Sequence, residues 1–550
     1  MKFILYFYTF RHLRLVQFVD RLCRLVRKTN IHINKVPATR QVIGQWVRKN
    51  IAEPRMLSRG KFLFLNKAGK LDGIDGWNND AQEKLWLYNL HYFEDLVALN
   101  SESRTVWHCE LVNNWIHDNP APQGNGWEPY PLSLRIVNWI KWLLNGQAPE
   151  KIWLKSLAQQ AHVLSQNLEY HLLGNHLFTN SKALIFVGLY FDGERAEQWL
   201  EKGLKILDTE LKEQVLSDGG NFELTPMYHN IMLHDLLDLV NIAHTYNHPA
   251  LSRRLSEWRE TASVMLGWMD IMVHPDDEIA FFNDTAIGIA PAPQRLRDYS
   301  QNLRIMPIDK GIIHHSDSLT ACQLPDSGYM RIDSSECVAL LDCAHIGPDY
   351  IPGHAHADNL SFELSLYGQR LFVNSGTSCY GLSSERLRQR GTAAHNTVEV
   401  DNHNSSEIWS GFRVARRAYP SRPVIEMNND GMSISCSHDG YRRLKGKVVH
   451  HRNWHFKRKL LQVVDQLDGD FSGAKAYFHI HPDVKIEEST DKQCYILTLA
   501  SGEQAKVQFG GVEASELKAS TWHPEFGKSI ENYCLVVKFS SGPIITTVEW

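Results

Sequence analysis

Three histidines and a cluster of short polar side chains fall within one strand-rich stretch of the chain. They lie in Gly353-His354-Ala355-His356-Ala357-Asp358, in Phe372-Val373-Asn374-Ser375-Gly376-Thr377, and in Gly391-Thr392-Ala393-Ala394-His395-Asn396-Thr397. Imidazole is both a metal ligand and a proton-transfer group near neutral pH. Side chains on an extended strand alternate between faces, so His354 and His356 are expected on one face. One ring can then serve as a ligand while the other meets a substrate. An isolated His-x-His pair is more often two satisfied or exposed rings; the third histidine and the Gly-Thr turns shift the reading toward a built site.

A second group lies earlier in the chain. Leu172-Leu173-Gly174-Asn175-His176-Leu177-Phe178-Thr179-Asn180 puts an amide and an imidazole at a helix start, beside a glycine that permits close backbone approach. Asn175 either caps the following helix or presents its amide to a ligand. Gly219-Gly220-Asn221-Phe222-Glu223-Leu224-Thr225-Pro226-Met227-Tyr228 then delivers a tyrosine to the mouth of another helix. Tyr228 is either packing or a proton-transfer group aimed into a cleft.

The elements that must position these groups differ between the two halves. Apolar residues recur at helical spacing from about Gln82 to Met272, predicting helices over Val106–Ile116, Leu132–Leu144, Ile152–Leu173, His176–Tyr190, Glu194–Val215, Tyr228–Tyr246 and Leu251–Met272. Beyond Ile312 the texture changes to short runs rich in β-branched residues: Cys337–Leu341, Leu360–Leu366, Leu371–Val373, Thr397–Val400, Leu460–Val464, Ala476–Ile480, Cys494–Leu499 and Tyr533–Phe539. These read as antiparallel strands. A chain of 550 residues with 43% hydrophobic content exceeds the size of a single core and divides into domains. The expected division is a basic amphipathic segment over 1–40, a helical domain over 41–305 and a β-sandwich over 306–550, with the boundary near Pro291–Gly311.

The net charge of −4 provides no global basic field for nucleic acid, so any acidic ligand must be held by local groups. Nine cysteines without Cys-x-x-Cys spacing argue for reduced thiols rather than a disulfide framework. Tyr6–Val26 reads as a basic amphipathic helix that either lies on a membrane interface or docks on the protein body. It lacks the small-residue cleavage site of a secretory leader, which leaves a cell envelope or cytoplasmic location open. No apolar stretch approaches the roughly 20 residues of a membrane span.

Taken together, Asn175-His176, Glu223-Leu224-Thr225-Pro226-Met227-Tyr228, the Gly353–Asp358 run, the Gly391–Thr397 run and Glu128-Pro129-Tyr130-Pro131-Leu132-Ser133-Leu134-Arg135-Ile136-Val137-Asn138-Trp139 resemble the heparinase II/III family of polysaccharide lyases. The similarity spans about Trp86 to Val464. It implies an incomplete (α/α) toroid followed by an antiparallel β-sandwich, and β-elimination on uronic-acid glycans, so an acidic polysaccharide is the expected partner. It further implies that Asn175 and His176 neutralise the uronate carboxylate. Tyr228 would serve as acid, base or both, and His354 or Tyr380 would take the C5 proton. His356 and His395 match ligands of a structural zinc ion, with Asn374 where relatives carry aspartate; Asp358 either compensates or orients His356. No organic cofactor is implied. Gln123, Trp127 and Arg135 are candidate cleft residues, each with an ordinary reading as turn amide, core ring and helix-surface charge. Arg386, Arg388 and Arg390 stand on a stretch that either meets a polyanion or forms a solvated face.

Overall fold

The computed structural model describes residues 2–316, 318–428 and 431–550. Twelve helices are described, ten of them before Ile271: α1 (Lys2–Phe10), α2 (Leu15–Val26), α3 (Lys84–Tyr92), α4 (Thr105–Asp118), α5 (Pro129–Leu144), α6 (Lys151–Gln166), α7 (Gly174–Tyr190), α8 (Glu194–Gln214), α9 (Pro226–Tyr246) and α10 (Ser252–Ile271), followed by α11 (Pro293–Asn302) and α12 (Ser384–Gln389). The seven expected helices are all present with shifted ends. Ile152–Leu173 stops at Gln166, and the seven residues after it form the approach to α7. The expected single helix over Tyr6–Val26 is two helices broken at Arg11–Arg14. The break is local chemistry: the Gln17 carboxamide oxygen accepts the Arg14 backbone N–H at 2.9 Å, starting a new helix in capping-box fashion.

Helix α7 is the buried centre of the helical half; every residue from Leu177 to Tyr190 is buried. It lies close against α8 because Gly188 and Gly203 stand at the crossing. A Cβ on Gly188 would fall 2.6 Å from the Leu200 nitrogen, and one on Gly203 would fall 2.9 Å from the Ser181 carbonyl. Helix α9 begins at Pro226, where proline's missing N–H costs nothing. Its cap is Thr225, whose Oγ1 accepts the Tyr228 N–H at 2.9 Å. That cap fixes where Tyr228 emerges.

From Ile312 onward the chain forms two large sheets in which every pair is antiparallel. The first runs Ala514–Trp522, Ile530–Phe539, Ala474–Ile480, Gln369–Phe372, Phe362–Leu366, Cys337–Asp342, Tyr329–Asp333, Thr320–Leu324 and Ile312–His315, with Val398–Val400 paired to Ala474–Ile480. The second has eight strands, from Val424–Asn428 at one edge to Lys485–Glu488 at the other. Alternation is plain in Leu460–Asp468, where Leu461, Val463, Asp465 and Leu467 point inward. Both sheets contribute to one apolar core, Phe362, Phe372 and Phe478 from the first and Trp454, Leu461 and Val507 from the second.

The helical and sheet regions are joined by a core of their own. Leu224, Trp268, Ile271, Met272 and Phe282 pack against Leu324, Tyr329 and Leu340. At about 1.5–3 kcal/mol for each large apolar side chain removed from water, this contact holds the two regions as one body. The segment from Val273 to Ala290 crosses the junction and places Asn283 and Asp284 against the sheet region. All nine cysteines are unpaired.

Candidate active site

The junction brings together side chains that are far apart in sequence. Helix α7 supplies Asn175 and His176, the start of α9 supplies Tyr228, and the sheet region supplies His354 and Tyr380. The Tyr228 and Tyr380 hydroxyls are 3.0 Å apart, and the Tyr228 ring stacks on His354 with centroids 4.0 Å apart. Glu223 ties the two walls together: its carboxylate accepts the Asn175 N–H at 3.3 Å and lies 3.7 Å from His354 Nε2. Gly174 makes room for this, since a Cβ there would meet Ile351 Cδ1 at 2.7 Å and a Glu223 oxygen at 3.0 Å. All five expected catalytic side chains are partly accessible, as a site open to a ligand requires.

Each is held by a partner. Asn175 Nδ2 donates to the Tyr130 hydroxyl at 3.2 Å, and the Tyr130 ring lies 4.6 Å from that of His176. His176 Nδ1 is 3.1 Å from the buried Glu169 carboxylate. Burial pulls the His176 pKa down, but the charge and hydrogen bond of Glu169, with the charge of Glu223, outweigh it and hold the pKa above 6.5. An imidazole whose protonated form is favoured and an amide therefore stand side by side, a pair suited to gripping a carboxylate. Burial, then the neighbouring Tyr380, push the Tyr228 pKa well above 10, and burial with the Asp284 charge does the same to Tyr380. Both phenols are therefore proton donors rather than preformed bases.

The residue that organises the far wall is Asp284, which the sequence reading missed. One carboxylate oxygen accepts from His354 Nδ1 at 2.9 Å, and the other meets His356 Nε2 at 2.8 Å. Arg386 forms a two-pronged ion pair with the same carboxylate. Burial alone would raise the Asp284 pKa, but the Arg386 charge and the three hydrogen-bond donors hold it well below the usual carboxylate range. The carboxylate at Nδ1 orients the ring, with His354 Nε2 on the side of Glu223. The only signal in sequence was the polar pair Asn283-Asp284 after the apolar pair Phe281-Phe282, in the non-helical stretch between α10 and α11.

The His354–Asp358 run is a single 3-10 turn, Pro352–His354, leading into an irregular extended stretch, rather than the expected ladder strand. The shared face survives because both rings bind one carboxylate. Behind the cleft, His356 Nδ1 and His395 Nε2 face each other at 3.1 Å, and with a carboxylate oxygen of Asp358 they form a buried set within 4.8 Å of one another. Burial first pushes His356 down to about 4 and His395 to about 3, so both are neutral imidazoles at pH 7, as metal ligands must be. Asn374 is held by other partners. Its Oδ1 accepts the Asn396 N–H at 3.1 Å and its Nδ2 lies 3.5 Å from the Ser361 hydroxyl, so its amide is engaged in hydrogen bonds of its own, while the carboxylate beside the two imidazoles is that of Asp358.

The expected cleft-lining residues are placed elsewhere. Arg135 is fully buried, donating to Gln160, the His91 carbonyl and the Gly126 carbonyl, with its guanidinium 3.8 Å from the Trp115 ring centroid. Trp127 is buried against Trp115, its indole N–H donating to Asn119 O at 3.1 Å. Neither can reach a sugar, because packing in the helical core has consumed their polar groups. Gln123 is exposed on the loop before Asn125, beside Asp75, Asn78 and Asp118. Arg386 and Arg390 are likewise buried and bound internally, and Arg388 reaches the surface paired with Glu385. The expected basic face toward a polyanion is thus mostly structural.

Comparison with known proteins matches this architecture. The chain fits the family descriptions "Heparinase II/III N-terminus" over residues 88–313 and "Heparinase II/III-like, C-terminal" over residues 318–546. A heparin-sulfate lyase of Bacteroides stercoris is 25% identical over 369 residues, covering 64% of this chain and 52% of that protein. The FtsZ-localized protein C of Caulobacter vibrioides is 24% identical over 477 residues, covering 77% of this chain and 75% of its own. Among solved structures, heparinase III superposes with a TM-score of 0.65 at 17% identity, covering 98% of this chain and 85% of that one. The chain spans about half the length of the lyases it matches in sequence. Two adjoining family matches, together reaching from residue 88 to residue 546, establish that this chain is a member of the heparinase II/III family.

Proposed function

We propose that the protein is a polysaccharide lyase that cleaves uronic-acid glycans by β-elimination, with its helices forming an incomplete (α/α) toroid against a β-sandwich. The observation that carries this reading is the convergence of Asn175, His176, Tyr228, His354 and Tyr380 on one accessible junction. The C5 proton of a uronate is a very weak acid while the adjacent carboxylate is charged, so that charge must be met first. Asn175 and the His176 imidazolium meet it and stabilise the enolate-like intermediate. His354 Nε2, held by Asp284, takes the C5 proton. The C5–H electrons form the C4–C5 double bond, the C4–O bond breaks, and the Tyr228 hydroxyl donates its proton to the departing oxygen. Tyr380 hydrogen-bonds that hydroxyl and restores its orientation.

The test is the purified chain with a panel of sulfated and unsulfated uronate polymers. Rising ultraviolet absorbance with falling chain length is expected. Solvent deuterium uptake at C5 without shortening would replace the lyase by a C5-epimerase. Saturable binding with neither signal would sink the catalytic reading.

The role of His176 predicts a pH dependence. Its proton is retained below its raised pKa, so carboxylate binding is strong there and fades as pH climbs through that value. KM is expected to rise roughly tenfold or more on the alkaline side, the scale of one lost charge-assisted hydrogen bond. Glu169→Gln removes the charge that raises the pKa and is expected to move this limb to lower pH. A pH profile of KM unaltered by that substitution would contradict the assignment.

The N, N, O donor set of His356, His395 and Asp358 suits Zn²⁺, and Asp284 bound to the far nitrogen of His356 supplies the outer carboxylate that metal-bound histidines commonly have. A bound zinc would add fixed positive charge and rigidity beneath the cleft. The expected result of elemental analysis on unchelated protein is about one zinc per chain. His395→Ala should abolish it and lower the melting temperature.

A further inference from the structure

Helix α2 is docked inside out. Its inward side is polar: Gln17 and Asp20 are buried, and Asp20 accepts from Arg24 at 3.0 Å, Arg27 at 2.8 Å and the His171 N–H at 3.1 Å. Arg24 also donates to the Asn167 and Leu168 carbonyls, and Arg14 pairs with Glu213 of α8. Its outward side is apolar, with Leu22 66% exposed and Leu25 and Val26 each 81% exposed. Helix α1 also exposes apolar side chains, Phe3 at 82% and Phe7 at 57%. A surface helix normally turns its apolar stripe to the core. Here ion pairs and hydrogen bonds hold the helix by its polar side, so the apolar face is presented to the outside. Exposed apolar side chains concentrated on one helix face in this way mark an interaction surface.

Charge identifies what covers it. Residues 1–35 carry eight lysines and arginines against a single acid, Asp20, while the whole chain is at −4. Asp20 is already neutralised by Arg24 and Arg27. Arg11, Arg21 and Lys28 are exposed and take part in no ion pair among the described residues. Arg413 stands 5.8 Å from the Phe10 ring centroid; burial and then Arg21 lower its pKa, marking two cations held near each other without an acid. A second copy of the chain would bring the same positive face and repel. The two helices, of nine and twelve residues, are each too short to cross a bilayer, a length compatible with interfacial helices.

We infer that the outer face of α1 and α2 is a docking surface for an anionic phospholipid bilayer, the apolar side chains entering the acyl boundary and the flanking cations meeting the headgroups. The placement is consequential. The Trp409 indole donates to Thr9 of α1 at 3.0 Å, and Phe412 of the same hairpin lies 6.1 Å from the His354 ring. Docking therefore holds the cleft one hairpin away from the membrane surface. The docking itself does not rest on the lyase reading.

The full chain is mixed with sedimentable vesicles of phosphatidylglycerol and phosphatidylcholine, or of phosphatidylcholine alone. Co-sedimentation with the anionic vesicles is expected to exceed that with the neutral ones by about tenfold or more and to fall with salt. The double substitution Leu22→Glu and Leu25→Glu changes only solvent-facing positions, which an unchanged melting curve verifies, and should abolish binding. Arg21→Glu with Lys28→Glu should weaken it about tenfold or more. Equal failure to bind either vesicle would overturn the inference. So would self-association in sedimentation velocity that the leucine substitutions abolish, because the face would then belong to a second copy. Turnover is not a readout, so a failure of the catalytic reading leaves this result unaffected.

Discussion

Tyr228→Phe is expected to lower kcat by about 10²–10⁴-fold, the usual contribution of a positioned proton-transfer group, while the protein stays folded. The substitution removes one oxygen whose hydrogen bond runs to Tyr380, and leaves the aromatic stack on His354 in place. Losing that bond costs about 1 kcal/mol, a small part of the stability of a chain with two extensive cores. The loss of turnover therefore cannot be an unfolding effect, and the comparison of kcat with the melting curve separates the two. Because burial and Tyr380 keep the Tyr228 pKa above 10, the wild-type hydroxyl remains a proton donor throughout the assay range. The alkaline decline belongs to His176 instead. KM should change little in Tyr228→Phe, since the carboxylate is gripped by other residues. A variant with wild-type kcat would remove Tyr228 from the chemistry and leave Tyr380 as the donor to test next.

The residues that converge on the junction were legible because they sit at element ends with characteristic chemistry. Asn175 follows a glycine at a helix start, Tyr228 follows a Thr-Pro cap, and His354 lies in a His-x-His run. Helix periods and strand alternation gave the two halves and most of the elements. The groups that set the reactivity of these residues were not legible in the same way. Asp284 lies 70 residues before His354, so no local pattern connects the two. Glu169 is closer to His176, but only the irregular turn after α6 makes the contact. Arg135 and Trp127 failed for the complementary reason. An arginine and a tryptophan near an expected cleft read equally as ligands for a sugar acid or as a buried stacking pair, and packing around Trp115 decided for the latter. The Asn374 position shows the same limit. Which carboxylate replaces a missing ligand depends on where an irregular loop returns, and that placed Asp358 beside His356 and His395.

The second large effect is expected at Asp284. Asp284→Asn keeps the size of the side chain but replaces an acceptor-only carboxylate, serving two imidazoles and a guanidinium, with a group that also donates. An amide N–H turned toward His354 Nδ1 stabilises the tautomer with its proton on Nε2, where the lone pair is needed. Loss of the correct tautomer in a comparable carboxylate–histidine pair, that of the serine proteases, lowers kcat about 10⁴-fold, and a loss of about 10³-fold or more is expected here. Stability should fall as well. Arg386 is buried beneath the cleft, and breaking a buried ion pair from one side costs about 3–5 kcal/mol because the remaining charge is uncompensated. The two effects separate through Arg386→Met. That variant removes the cation but keeps the carboxylate beside both imidazoles, so it should spare kcat more than Asp284→Asn does, because Asp284 still accepts from His354 Nδ1. Equal losses of kcat in both variants at a temperature where both are folded would mean that Asp284 acts only as a structural anchor. A kcat deficit confined to Asp284→Asn would assign it to positioning the base.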